Sequence, residues 1–450
     1  MDGKMRELIT ELDAALLRAH GRDSAFQDDL TEMQRKLGIM HGDRPITPFL
    51  RPYFLEASRY EAIRCAAGLI FGAFNRLTEA ALTDRAVLSE LGLTEQEERW
   101  ARIHPGYSAV SVNSRLDAFL SPDGFAFLEY NGENPAGIGD QRSLAKLIRS
   151  IPEVERFLDA VPHHFPDPIE SLTNAVKQTY REYGGQKANP SVAIVDWAEI
   201  DTAAEFHLLA RHFDANGMPS FICDPREIEY VGETLTANGR TIDIFFKRVI
   251  IHEFLHEFRD GHALFEALED GSVCMINSFR SKVPHKKSGF AILTDERFQH
   301  LFTPQQKDAI DKHIPWTRRV VDKATTYLGE PVGLLDLVRK NRTRFVLKPN
   351  DDYGGHGISF GWESSAAEWD DAIENALNDH YIVQERVAVE KTEMPIYSNG
   401  SASVESLNVD LDPYLFNGNV DGAMVRLGSG SLVNITQGGM EAALCILEGY

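Results

Sequence analysis

Ser114-Arg115-Leu116-Asp117-Ala118-Phe119-Leu120, the turn Ser121-Pro122-Asp123-Gly124, then Phe125-Ala126-Phe127-Leu128-Glu129-Tyr130-Asn131, is the stretch whose reading decides the fold. It predicts a β-hairpin whose register can be worked out. Pro122 and Asp123 suit the centre of a type I turn and Gly124 suits a left-handed bulge position, so a three-residue loop pairs Ser121 with Phe125. Asp117 then faces Glu129 and Arg115 faces Asn131, with all four side chains on one face, roughly 5 Å apart across the strands. Leu116, Ala118 and Leu128 are expected on the other face, toward a core. Opposed carboxylates repel, so a compensating cation is expected, and an all-oxygen set of Asp117, Glu129 and Asn131 suits Mg²⁺ or Mn²⁺. Arg115 stands where it could meet a phosphate beside that metal. The bland alternative is an exposed Arg-Asp-Glu network on a sheet surface.

Working outward, residues 1–105 carry apolar positions at helical spacing (Leu8, Leu12, Leu16) and read as a helical N-terminal region. Residues 106–185 hold the hairpin and following helices, which stop at Gly184-Gly185. Residues 186–285 alternate strand and helix. Ser191 to Asp196 is a buried-strand run, Thr202 to Glu205 a possible capping box, and Asn238-Gly239 a turn. In 286–450, helices lead to strands at Arg344 to Lys348, Ile358 to Trp362 and Tyr381 to Val387, while Val389 to Ser401 reads as a loop. The expected class is α+β or α/β.

A second constellation is Lys348-Pro349-Asn350-Asp351-Asp352-Tyr353-Gly354-Gly355-His356-Gly357, set between strands. A Walker A loop and a Rossmann fingerprint both require a helix after the glycines, so neither fits. A flap over phosphates fits better: Gly354, Gly355 and Gly357 allow backbone N–H groups to approach, and Lys348 neutralises charge. The alternative is a plain glycine hairpin loop. Gln384-Glu385-Arg386-Val387 ends an apolar strand and could flank a planar base. His252-Glu253-Phe254-Leu255-His256 matches HExxH with His262 six residues on, which raises a zinc-hydrolase reading, although Arg259 replaces the expected glycine. Asp196 and Glu199 stand at a strand's C-terminal end, where a substrate amine could bind; helix capping is the simpler role.

The 450 residues carry 46 Lys+Arg against 68 Asp+Glu, a net charge of −22 that argues against a phosphate-backbone partner such as nucleic acid. Cys65, Cys223, Cys274 and Cys445 have neither zinc-site spacing nor disulfide-scaffold density. With no secretory-type leader and no long apolar run, a soluble cytoplasmic protein is expected, acting on small molecules without nucleic acid or membrane.

These residues resemble the circularly permuted ATP-grasp ligases, in particular the synthetase domain of glutathionylspermidine synthase and its uncharacterised bacterial relatives. The likeness spans most of the chain after about residue 40. Its strongest element is Arg-x-Asp followed, twelve residues after Asp117, by Glu-x-Asn, which is similar to the family's magnesium and phosphate site. A metal hairpin ahead of the Lys-Pro-Gly-loop segment suggests the permuted order. The resemblance implies a circularly permuted ATP-grasp fold with a helical N-terminal region, ATP and Mg²⁺ as cofactors, and small carboxylate and amine substrates. The implied chemistry is ADP-forming amide synthesis through an acyl phosphate. It also implies metal ligands Asp117, Glu129 and Asn131. ATP contacts fall to Lys287 (or Lys286), Lys348, Gly354, Gly355, Gly357, Gln384, Glu385 and Val387, and catalytic roles to Arg115 and Arg426. Two departures set the chain apart: no amidase domain precedes the synthetase-like part, and Tyr353 stands where an arginine is expected. The competing readings are the zinc metallopeptidase and a nucleotide-binding protein without ligase turnover.

Overall fold

The computed structural model describes residues 3–21, 23–122, 124–200, 203–352, 354–398, 400–431, 433 and 439–449. Asp123 of the turn, Thr202 of the capping box and Tyr353 of the glycine loop lie outside them.

Three sheets converge on one cavity. A six-stranded antiparallel sheet contains the hairpin Asn113–Ser121 and Gly124–Asn131, extended by Ser401–Phe416, Asn419–Gly428 and Met440–Ala442, with Lys391–Ser398 pairing onto Ser401–Phe416. Its apolar face (Leu116, Ala118, Leu120, Leu411, Val425) packs on the helix Ala57–Thr83, whose Ile63, Ala67, Ile70, Phe74 and Leu77 are buried with it. This helix is apolar around much of its circumference, as a helix enclosed on several sides must be.

The second sheet is parallel, in the order Cys274–Ile276, Ile244–Lys247, Val192–Val195, Ser220–Cys223. Successive residues face opposite sides and both sides are dry. Val192, Ile194, Ile244 and Phe246 pack with the helices Pro168–Glu182 and Ala203–Ala215. Ala193, Val195 and Phe245 pack with Ile251–Phe258 and Ala263–Glu269. Parallel strands covered on two faces read as unbroken apolar runs, and Val192-Ala193-Ile194-Val195 is one. The expected Asn238-Gly239 turn is present, both residues at positive φ, joining Thr234–Ala237 to Arg240–Thr241 in a small separate sheet.

The third sheet orders Thr317–Arg319, Tyr381–Glu385, Phe345–Pro349 and Ser359–Phe360, backed by Leu334–Lys340 and Ala366–Asn378 through Trp369, Ile373, Phe345, Leu347 and Val383. The stretch 286–450 contributes to several sheets: four of its strands up to Glu385 build this one, the strands from Lys391 to Ala442 join the hairpin's sheet, and Leu444–Leu447 joins another with Tyr53–Glu56. Val389 to Ser401, expected as a loop, is mostly the strand Lys391–Ser398. The chain closes on itself where Leu444–Leu447 runs parallel to Tyr53–Glu56.

The hairpin has the expected site pairs by a different route. Ser121 pairs with Gly124 rather than Phe125, and a bulge between Asp117 and Ala118, opposite Leu128, restores the pairing Asp117 to Glu129 and Arg115 to Asn131. The shorter turn and the bulge cancel over the site. Leu128, expected in the core, is turned by the bulge to line the cavity, and Phe127 is buried instead. The Ala118 N–H donates to the Asp412 side chain at 2.9 Å, so a carboxylate substitutes for a backbone acceptor at the irregularity.

After the hairpin, the connector Gly132 to Gly139 runs beneath the cavity. Gly137 has φ +85°, and a Cβ there would meet Met424 Cε at 2.4 Å and the Tyr414 hydroxyl at 2.8 Å. We expect Gly137→Ala to lower stability by about 2 kcal/mol, read as a reduced denaturation midpoint, because L side chains rarely adopt this backbone conformation and the buried Tyr414 ring would have to shift.

Candidate active site

The cavity, about 1160 Å³, is lined from all three sheets. Asp117, Glu129 and Arg426 come from the first. Asp196 and Arg248 sit just beyond the carboxyl ends of two parallel strands, where open α/β sheets expose ligand-binding groups. Lys348, Gly354, Gly355, Gln384, Glu385 and Val387 come from the third sheet and its loop.

Asp117 is the most heavily bonded group on the floor. Arg115 donates to both its oxygens, Nε at 2.8 Å and Nη2 at 3.0 Å; Asn131 Nδ2 donates at 2.8 Å and Arg426 Nη2 at 2.7 Å. Burial alone would raise the Asp117 pKa, but Arg115 and Arg426 hold it well below the carboxylate range. Arg426 Nη2 also lies 2.7 Å from both Asp410 Oδ2 and Asp412 Oδ2. The sequence reading missed these two aspartates, although Asp410-Leu411-Asp412 in an apolar strand is a visible signal: residues two apart share a face.

Glu129 is paired with Lys287 Nζ at 3.0 Å, and that ammonium also donates to the Asp352 carbonyl at 2.7 Å, joining the hairpin to the glycine loop. Lys287 does not line the cavity itself. Its neighbour Lys286 turns away to Glu97 at 3.0 Å and Asp351 at 2.6 Å. Lys348 is buried and donates to Gln384 Oε1 at 2.7 Å; burial lowers its pKa to about 8, with Glu129 opposing the shift and Lys287 adding to it. Gln384 is thus used as a side chain that aims Lys348, its own NH₂ held by Thr317 Oγ1 at 3.1 Å. The Glu385 carboxylate accepts from Tyr327 and Arg344, at 2.8 and 2.7 Å. Gly357 is not among the lining residues; its Cβ would stand 2.8 Å from the Tyr381 hydroxyl, so it serves loop packing.

The HEFLH segment lies on a short helix, Ile251–Phe258. His252 lines the cavity, His256 is exposed, and both ring nitrogens of buried His262 are engaged, with the Pro225 carbonyl and the Leu264 N–H. Among the described residues these three do not form a cluster close enough to share an ion; the group that does is Glu133, His285 and Asp351. There the Lys282 ammonium already sits 2.8 Å from Glu133 and 2.7 Å from Asp351, supplying the cation itself. Asp196 bonds the N–H of Trp197 at 2.9 Å and burial pushes its pKa up to about 6, while Glu199 pairs with Arg226 at 3.0 Å.

The donors around Asp117 have the chemistry of a hard-cation site. The hydrogen bond from Asn131 Nδ2 to Asp117 leaves the amide oxygen for another partner, and Glu129 and Asp117 add carboxylates. Both Asp117 oxygens are already engaged, so an ion there would take the place of an arginine contact.

No family model and no curated protein matches the sequence. Solved structures do. A glutathione synthetase-like effector from Globodera pallida, in apo form, superposes with a TM-score of 0.59 at 13% identity, covering 92% of this chain and 95% of its own. A protein provisionally named gamma-glutamylcysteine synthetase, from Methylobacillus flagellatus KT, gives a TM-score of 0.42 at 12% identity over 87% of this chain and 89% of its own. Among the described residues no helix is long and apolar enough to cross a membrane. The likeness to the effector is one of fold: this chain shares the mixed α/β architecture of that glutathione synthetase-like protein.

Proposed function

We propose that the protein is an ATP-dependent carboxylate–amine ligase that works in the manner of the permuted ATP-grasp enzymes such as glutathionylspermidine synthase. The observation that carries this reading is the meeting, in one cavity, of the Arg115, Asp117, Glu129, Asn131 cluster with Lys348 and the glycine loop. The fold shared with a glutathione synthetase-like protein agrees with it.

In this reading a substrate carboxylate oxygen attacks the γ-phosphorus of ATP, the bond to the β-phosphate oxygen breaks, and an acyl phosphate and ADP form. The neutral amine then bonds to the acyl carbon, the bond to the phosphate oxygen breaks, and the departing phosphate takes up the proton lost from nitrogen, giving an amide. Phosphoryl transfer asks the protein for position and charge neutralisation. Lys348 serves the α- and β-phosphates, Lys287 holds Glu129 and the root of the glycine loop beside it, and Gly354 and Gly355 close over the phosphates with Gly357 shaping the turn. Gln384 to Val387 flank the base. Arg115 and Arg426 stabilise charge at the transferring phosphoryl group. Mg²⁺, or Mn²⁺, held by Asp117, Glu129 and Asn131, would neutralise the β- and γ-phosphates. The small-molecule substrates and cytoplasmic setting belong to the same proposal.

The test is calorimetric titration with MgATP of wild-type protein and Lys348→Ala, followed by ADP release with pooled carboxylates and amines. Wild type is expected to bind, and Lys348→Ala to lose roughly tenfold or more in affinity. Asp117→Asn is expected to cut stimulated ADP release by roughly a hundredfold or more. Binding without release would leave a nucleotide-binding protein without turnover; no binding by wild type would end the ATP reading.

A pH dependence follows from the buried lysine. Polyphosphate binds the ammonium form, and the free protein holds that form only below a pKa of about 8. MgATP affinity should therefore fall about tenfold between pH 7 and pH 9, with proton uptake on binding over that range, and Lys348→Arg should flatten the profile. An unchanged affinity in wild type would remove Lys348 from the phosphate site.

A further inference from the structure

Next to the floor, the cavity has a lobe that ATP and metal leave unassigned. Four separated segments build it. Asp140 opens the helix Asp140–Arg149, Glu205 stands in the first turn of Ala203–Ala215, Arg248 follows the strand Ile244–Lys247, and Glu441 lies on Met440–Ala442. All four line the cavity.

Arg248 is 4% exposed. Its Nη1 donates to the Pro135 carbonyl at 2.8 Å and its Nη2 to Glu205 at 3.1 Å, but its Nε has no acceptor. A buried guanidinium N–H left without an acceptor is costly, and a carbonyl or an anion would satisfy it. The carboxylates are in the opposite position. Glu205 is satisfied by Arg248 and by the Ile138 N–H at 2.9 Å. Glu441, 1% exposed, has one oxygen on Gln141 at 2.9 Å, and the Asp140 carboxylate has no hydrogen bond among the described residues. Of the three carboxylates only Glu205 is paired with the guanidinium. Burial together with the neighbouring carboxylates pushes Asp140 up to about 8 and Glu441 well above the usual range, the response of acids that lack a cation. The lobe abuts the floor, because Arg115 Nη1 donates to the Ala136 carbonyl at 3.3 Å.

One lobe lacking both a cation for its surplus carboxylates and an acceptor for its arginine matches a ligand that carries both charges close together. We propose that this lobe binds the head group of an α-amino acid, its ammonium among Asp140, Glu205 and Glu441 and its carboxylate on Arg248. A ligand gripped by both charges presents its other end to Arg115 and Asp117, so the group that reacts is the distal one. The part about reaction rests on the ligase reading; the binding itself does not.

The test uses the full chain without nucleotide. Each of the twenty protein L-amino acids is titrated separately by calorimetry, and the tightest binder is compared with its N-acetyl and α-amide forms. At least one amino acid is expected to bind wild type. Masking either charge is expected to weaken it about tenfold or more. Glu441→Gln is expected to weaken the parent ligand to a similar degree while leaving MgATP affinity unchanged. The proposal is overturned if none of the twenty binds, or if both masked forms bind as well as the parent. Because the masked-ligand comparison is made on wild-type protein, it holds even where a variant fails to fold. MgATP titrated into the same samples separates the two readings: amino-acid binding without MgATP binding fails the ligase alone, and the reverse fails the lobe alone.

Discussion

Arg426 holds the floor of the site together. One of its nitrogens lies 2.7 Å from Asp117, from Asp410 and from Asp412, and those residues stand on the strands Asn113–Ser121 and Ser401–Phe416, while Arg426 itself is on Asn419–Gly428. Three adjacent strands are thereby tied through a single guanidinium. Ions this deeply buried are expensive to desolvate, and removing one partner of such a set costs roughly 3–5 kcal/mol because the others stay behind unpaired. Burial drives both Asp410 and Asp412 upward in pKa, with Arg426 as the main opposing influence. The sheet could be more stable with apolar residues at these positions. In the proposed ligase reading, its anionic floor is a place prepared for cations and for the phosphates they accompany.

A second buried ion cluster fixes the opposite wall. Lys282 and Lys286 hold Asp351 at 2.7 and 2.6 Å, Lys282 also holds Glu133, and Glu133 accepts from the Ile251 N–H at 2.8 Å. The base of the glycine loop is therefore bound to the hairpin's exit, to the helix that carries HEFLH and, through Glu97, to the N-terminal region. Immediately beyond this anchor, Gly354, Gly355 and Gly357 all adopt positive φ. Glycine's freedom to take these conformations begins where the ion pairs end, which in the proposed reading suits a loop that closes over phosphates from a fixed root.

Local chemistry was readable in the sequence, and assembly over distance was not. The pairing of Asp117 with Glu129 follows from strand parity and turn residues, both short-range properties, yet the turn itself is one residue tighter than expected and a bulge makes up the difference. Turn length and bulge trade against each other with the same outcome at the site, so no local rule separates them. The parallel strand at Val192–Val195 was plain because dry packing on both faces demands an unbroken apolar run. By contrast Asp140, Glu205, Arg248 and Glu441 come from four elements spread over three hundred residues, and each, taken alone, looks like an ordinary helix or strand polar residue. The strand Lys391–Ser398 was missed for a related reason. Its pairing with Ser401–Phe416 supplies the order, whereas its own composition, with Lys391, Glu393 and Pro395, does not suggest a strand.

The cavity's cations are shared unevenly, and the unevenness is itself informative. Lys348, Arg115 and Arg426 line it beside the hairpin and the glycine loop, among the carboxylates and the amide they pair with, while in the lobe of Asp140, Glu205 and Glu441 only Glu205 has a guanidinium partner, Arg248. A chain with a net charge of −22 repels anions at long range, so in the ligase reading a polyphosphate would be drawn in by local cations acting in a partly dry space, where their field is less screened. Three cations at one end against one at the other would give a bound molecule a direction, and a direction is what a reaction joining two substrates across a phosphoryl group requires.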